Sequence, residues 1–195
     1  FEARESDLVD RKSGVSARMS ITSLQNLVSS AERRMIINKE GNTSIRMSDF
    51  SSVISSINGK VELVYEGEEE GAEQVSYNLI SSAVKSIFNK YFPRIEKLTK
   101  PDETTPYDSI LDWFSNKQLI INDNLKNKDY KDLLNEVNDA KKLIRKYIPE
   151  LNDDDELFFV EFILWGLESY NKLSILRTNN GIEYKDPFNN FINKI

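Results

Sequence analysis

The run GVSARMSITSLQNLVSSAERRMIIN, residues 14–38, decides how this chain is read. Its longer part writes an amphipathic helix. Ile21, Leu24, Val28, Ala31 and Met35 recur at alternating spacings of three and four, and with Leu27 they fall on one helical face. Ser20 is a good N-cap candidate for that helix. Residues 38–42 end it, with Gly41 supplying the loop. A second helix is written by Met47, Phe50, Val53, Ile54 and Ile57, and Gly59 stands where a C-terminal glycine cap is expected. The two helices are predicted to pack through these faces, since short amphipathic helices gain most of their stability that way.

The shorter part of the run, Gly14-Val15-Ser16-Ala17-Arg18, has a definite chemical use. An arginine just ahead of a helix can direct a planar, permanently charged fork at phosphate oxygens, and the helix N-terminus adds favourable partial charge. Gly14 lets the backbone bend sharply, and Ser16 can support the turn. Taken alone, five such residues favour an arginine capping a surface loop.

Working outward, Val61 to Tyr65 is the only convincing extended run. Glu66-Gly67-Glu68-Glu69-Glu70-Gly71 follows it, a glycine-flanked acidic stretch that reads as a linker over 66–74. Leu79, Ile80, Ala83, Val84, Ile87, Phe88 and Tyr91 mark a helix that must stop before Pro93, and a loop is expected over 97–106. A helix over 107–114 carries Ile110, Leu111, Trp113 and Phe114, while 118–127 is ambiguous. Tyr130, Leu133, Val137, Ala140, Ile144 and Tyr147 predict one helix over 128–148. A last long helix is expected over 154–177, apolar on nearly all sides from Leu157 to Leu167 and therefore central in a bundle. The predicted fold class is mostly α: a small helical domain over 1–65, the linker over 66–74 and a helical bundle over 75–195. At most one short extended segment is expected, near 61–65.

Composition narrows the chemistry. The 195 residues suffice for one large or two small domains, and 39% hydrophobic with 30% charged residues fits a globular chain rather than a disordered or membrane one. There is no cysteine, hence no disulfide or thiolate metal site, and no histidine, the commonest general base and metal ligand. The net charge of −6 argues against nucleic acid. It is uneven: residues 1–50 hold eight basic and seven acidic side chains, whereas the remainder holds 18 and 25. The longest apolar run, 157–167, is interrupted by Glu161 and falls short of the about 20 residues a membrane span needs. The chain opens at Phe1 with no signal segment, which reads as a piece excised from a longer protein.

Other candidate sites carry less. The acidic run over 66–70 lacks the alternating ligand spacing of a calcium loop, and a solvated linker explains it better. Asp153-Asp154-Asp155-Glu156 suits the positive start of a helix. Trp113, Phe114, Phe158, Phe159, Phe162 and Trp165 have the spacing of core aromatics rather than of a ligand pocket. No phosphate-loop, dinucleotide or nucleophile-elbow motif occurs. Neither catalytic nor metal-binding residues are assigned.

The context of the arginine turn raises its weight. Residues 1–65 combine a helix end over 1–10, the Gly-x-Ser-x-Arg turn, a long amphipathic helix with Ala31-Glu32-Arg33-Arg34 near its end, and a short helix carrying Asp49. This arrangement resembles the C-terminal lid of the helix-2-insert branch of AAA+ ATPases, which contains the magnesium chelatase ATPase subunit and MoxR-type ATPases. The second helix of that family commonly opens with Thr-Pro, where this chain has Arg46-Met47.

The resemblance implies that Arg18 is a sensor-2 arginine reaching a nucleotide γ-phosphate, with Gly14 and Ser16 shaping its turn. It further implies that the intact protein uses ATP and Mg2+. Its partners would be its own AAA+ core and neighbouring subunits of a ring, a hexamer, in the cytoplasm, with a protein partner on 75–195. The phosphate cradle, metal-binding acid and water-positioning residue that phosphoryl transfer needs are absent from 1–195. This chain by itself is therefore expected neither to hydrolyse ATP nor to bind it tightly. The alternatives are a self-contained helical scaffold or regulatory interaction module, and a carboxylate-based hydrolase with paired acids in an open pocket.

Overall fold

The computed structural model describes residues 1–95, 104–178 and 180–188, without the side chains of Asp153 and Asp154. The fold is mostly α, and the chain divides into two units, Phe1–Ala83 and Val84–Ile195. Among the described residues no helix is long and apolar enough to cross a membrane.

The first unit contains α1 (Glu2–Glu5), α2 (Arg18–Asn38), a 3-10 helix (Met47–Val53) running into α3 (Ile54–Ile57), α4 (Tyr65–Glu70) and the start of α5 (Ala72–Tyr91). Helix α2 begins at Arg18 with Ala17 as its N-cap, three residues before the expected cap Ser20. At its far end Lys39, not Gly41, takes the left-handed conformation (φ 56°), while the Lys39 and Glu40 amides bond back to Ile36 and Met35 carbonyls.

The packing face of α2 corrects the sequence reading. Ile21 and Leu24 are each 60% exposed and Val28 40%, whereas Ala31 and Arg34 are buried. The inward face is largely polar and bonds to the 3-10 helix and α3. Asn26 Nδ2 donates to Ser56 Oγ at 2.7 Å, Ser30 Oγ donates to Asp49 Oδ1 at 2.8 Å, and Arg34 Nη1 meets the same Asp49 oxygen at 2.6 Å. Asp49 also accepts the Arg46 amide at 2.8 Å. Once buried, such groups must pair with one another. Pairing at these fixed positions sets the rotation of α2 and leaves the apolar row outside the contact.

Gly59 takes the expected position after α3, with φ 73°. The segment after it makes isolated bridges rather than a strand, Val61 with Val15 and Leu63 with Val9. The acidic run expected as a linker is helical, forming most of α4. Gly67 lets that helix approach the first leg of the chain, since a Cβ there would stand 2.6 Å from the Leu8 carbonyl oxygen. The division between units falls inside α5, between Ala83 and Val84.

The second unit holds the end of α5, α6 (Asp108–Ser115), β1 (Leu119–Asn122), α7 (Asn127–Asn135), α8 (Asn138–Tyr147), α9 (Asp153–Glu168), β2 (Ser174–Thr178) and β3 (Gly181–Lys185). α5 stops at Tyr91 ahead of Pro93, as expected. The loop expected over 97–106 lies outside the described residues except for 104–106. The single helix predicted over 128–148 is two, broken at Val137 (φ −90°, ψ 55°), whose side chain is buried. The expected last helix ends at Glu168, where Asn171 (φ 56°) turns the chain and the Lys172 amide bonds to the Leu167 carbonyl.

The ambiguous segment and the far end of that expected helix instead supply strands. They form an antiparallel sheet of order β1-β3-β2, with Ile120 opposite Glu183 and Glu183 opposite Leu176. α9 is central to its unit, as its composition suggests: Val160, Ile163, Leu164 and Leu167 are fully buried. The buried Glu161 carboxylate accepts the Tyr130 hydroxyl at 2.6 Å and the Tyr184 hydroxyl at 3.1 Å, and Tyr184 accepts Trp165 Nε1–H at 2.9 Å. Helices from α7 and α9 are thereby fastened to β3 through polar groups that satisfy one another.

Glu168, in the last turn of α9, is raised above its ordinary carboxyl value. Burial disfavours its charge more than Arg177 favours it. Stability from the neutral form is therefore full below the ordinary value of 4.5 and lost as pH rises through the raised one. Glu168→Gln is expected to raise the urea midpoint at neutral pH and to leave it unchanged in acid below that value. A gain of the same size at both ends of the titration would contradict this account.

Candidate functional site

The turn ahead of α2 is held from several sides. Asp10 organises its start: one carboxylate oxygen accepts the Lys12 amide at 2.8 Å and the other the Ser13 hydroxyl at 2.9 Å. The Lys12 amide, then the Ser13 hydroxyl, hold this exposed carboxyl below its ordinary value. Gly14 follows with φ 73°, a left-handed conformation that favours glycine, and its amide bonds to the Asp10 carbonyl. Val15 then bridges to Val61, and the Ser16 amide donates to the Lys60 carbonyl at 3.3 Å.

Ser16 fixes the entry to the helix. Its hydroxyl accepts the Arg18 amide at 3.3 Å, and its carbonyl accepts the Met19 amide at 2.9 Å. Thr22 Oγ1 donates to the Arg18 carbonyl one turn later, at 2.9 Å. Two of the amides that a helix start leaves open are thus already used within the turn. What the turn offers an anion is the guanidinium of Arg18, which is exposed and has no ion-pair partner among the described residues.

The placement is electrostatically unfavourable without an anion. A cation in the first turn opposes the helix dipole by about 0.3–1 kcal/mol, and no acidic residue in the first turn of α2 offsets it. Directly beyond Arg18 the exposed Ile21, Leu24 and Val28 form an apolar row on the same helix. The three sequence-selected residues, Gly14, Ser16 and Arg18, fall in one turn, in which Gly14 takes the left-handed conformation and Ser16 bonds to the helix start. Asp10, Lys60 and Val61, which hold that turn, have no signal of their own in the sequence, because their pairing is set only when distant segments meet.

Elsewhere the chemistry is sparse. Among the described residues no group of three or more carboxylates could hold a metal ion. A cavity of about 350 Å³ in the first unit is lined by Glu2, Glu5 and Asp7, with Ser6, Asn78 and Ser82, over Leu8, Val75 and Leu79, a surface that carries no cation. Of the aromatics expected in the core, Phe114, Phe162 and Trp165 are buried, while Trp113, Phe158 and Phe159 are half-buried. Comparison with protein-family models, curated proteins and solved structures finds no match to this chain.

Proposed function

We propose that this chain is the C-terminal part of a AAA+ ATPase similar to the magnesium chelatase ATPase subunit and MoxR-type proteins, with Arg18 as its sensor-2 arginine. The observation that carries the reading is Arg18 at the first position of α2, exposed and without an ion-pair partner among the described residues, with no acid in the first helical turn and an exposed apolar row beside it. A lid that closes on a nucleotide-bearing core accounts for both features. The core covers the row, and γ-phosphate oxygens supply the missing negative charge.

The chain's donors fit one contact of such a site rather than a whole one. Arg18 can bind a terminal phosphate. Ser16 holds the helix start so that the fork reaches outward, and Gly14 permits the bend that sets its direction. ATP bound by the intact protein, with Mg2+, supplies the phosphoryl chemistry. Because Arg18 would touch the γ-phosphate, its occupancy would bias the lid between two positions by the difference in contact energy. The intact protein would work in the cytoplasm as a ring of subunits, a hexamer, without nucleic acid. The second unit would dock on the core, a neighbour or a protein partner.

Arg18→Ala in the intact protein is expected to lower ATP hydrolysis or nucleotide-dependent assembly about 10–100-fold, the range for losing one charged hydrogen bond of about 1.5–3 kcal/mol. Circular dichroism of the same variant should be unchanged, since the side chain is exposed. Unaltered turnover and assembly would end the assignment and favour a helical interaction module without nucleotide chemistry.

A further inference from the structure

The chain contains two Asn-Gly pairs, Asn58-Gly59 and Asn180-Gly181, that the fold treats in opposite ways. We infer that Asn58 is a site of spontaneous deamidation to isoaspartate and aspartate, and that Asn180 is protected from the same reaction. The inference stands apart from the nucleotide reading, because it uses only the local chemistry of the two turns.

Reaction at such a pair needs an accessible amide, a following residue without a side chain, and freedom for the backbone to close a five-membered ring. Asn58 has these conditions. Asn58 and Gly59 are both exposed, and nothing lies within 4 Å of where a Gly59 Cβ would stand. The Gly59 amide donates no hydrogen bond among the described residues, although the amides on either side do, Asn58 to Ile54 and Lys60 to Ile57, each at 3.0 Å. The Ser76 hydroxyl lies 2.9 Å from Asn58 Oδ1, as well as 2.7 Å from the Ala72 carbonyl.

Asn180 sits instead in the hairpin between β2 and β3. Its carbonyl accepts the Asp123 amide at 3.0 Å, and Gly181 is paired on both sides, with Thr178 and with Asn122. A Cβ on Gly181 would stand 2.1 Å from the Ile121 carbonyl oxygen, so the backbone there is closely packed. Ring closure at Asn180 requires the ladder to open first, and local opening costs free energy that an open turn does not spend.

The step at Asn58 balances without any bound group. Hydroxide or a buffer base takes the Gly59 amide proton. The amide nitrogen then bonds to Asn58 Cγ, the Cγ–Nδ2 bond breaks, and the nitrogen leaves as ammonia. Water opens the resulting succinimide at either carbonyl, giving isoaspartate or aspartate. Both products place a carboxylate beside Ser76, and isoaspartate adds a methylene to the main chain two residues before Lys60. The Lys60 carbonyl holds the Ser16 amide and Val61 bridges Val15, so the change falls on the segment that anchors the turn ahead of α2.

The test is to incubate the full chain in mildly alkaline buffer and digest it with trypsin in weak acid. The two sites then separate into the peptides 47–60 and 178–185, each followed by mass spectrometry for amide-to-acid conversion and isoaspartyl linkage. In the folded chain Asn58 should convert roughly tenfold faster than Asn180, the protection expected of a ladder that must open. In concentrated denaturant the two rates should converge, and Asn58→Gln should abolish conversion in the first peptide. Equal rates in the folded chain, or a folded ratio no different from the denatured one, would overturn the inference.

Discussion

Arg34→Met is expected to lower the stability of the first unit by about 3–5 kcal/mol, the range for removing one partner of a buried ion pair. The Arg34 and Asp49 side chains are 2% and 3% exposed, with 2.6 Å between them. Removing the guanidinium leaves the Asp49 carboxylate desolvated, with only the Ser30 hydroxyl and the Arg46 amide as partners among the contacts described above. It also strips the Ser44 carbonyl of the 2.7 Å bond from Arg34 Nη2. Asp49→Asn should also destabilise, because it leaves the buried Arg34 guanidinium without its counter-ion and offers one acceptor oxygen where the carboxylate offered two, to Ser30 and to the Arg46 amide. The double variant Arg34→Met/Asp49→Asn should be less destabilised than the sum of the singles, since neither leaves an unpaired charge in the presence of the other. Urea unfolding of the full chain measures all three. A cost below about 1 kcal/mol for Arg34→Met would put the pair in the class of surface ion pairs and contradict its burial.

This pair also explains what periodicity could and could not supply. The spacing of Ile21, Leu24, Val28, Ala31 and Met35 correctly announces α2, and the bend near Gly14 and the stop near Asn38 are local chemistry, hence readable. Which side of α2 packs within its unit is not local. It is decided by Asn26, Ser30 and Arg34 meeting Ser56 and Asp49, residues whose need for partners has no period. An apolar row states that a surface favours cover, not which segment covers it.

The strands were hidden for a related reason. β1, β2 and β3 are four or five residues each, β1 lying far along the chain from the β2–β3 hairpin, and their alternation is too short to outweigh a neighbouring helical pattern. The readable clue is Asn180-Gly181, a hairpin signal between Ile175-Leu176 on one side and the alternating Ile182-Glu183-Tyr184 on the other. At the candidate site the balance is similar. Gly14, Ser16 and Arg18 are legible because one turn contains them, whereas the grip of Lys60 and Val61 on that turn depends on the path of α3 and the residues after it.

Phe88→Ala should cost the second unit about 3–5 kcal/mol, the range for truncating a buried phenylalanine. Phe88 is fully buried, with ring centroids of Phe92, Tyr107, Phe162 and Tyr170 at 5.2, 5.8, 6.2 and 6.4 Å, so its removal opens a cavity among side chains that support one another. Its ring also rests on Gly166 of α9, where an added Cβ would stand 2.1 Å from Phe88 Cδ2. Gly166→Ala in the natural background should therefore destabilise by about 1–3 kcal/mol through overpacking. In the Phe88→Ala background the clash is gone. The new methyl group occupies part of the cavity, and replacing glycine inside a helix contributes about 1 kcal/mol. Gly166→Ala should then stabilise, reversing its sign. Urea midpoints of the two singles and the double, followed by fluorescence of the buried Trp165 and the half-buried Trp113, give the coupling directly. Additive effects would mean that α9 and α5 do not meet through this ring. A sign reversal would show that Gly166 is fixed by the space Phe88 needs rather than by backbone conformation.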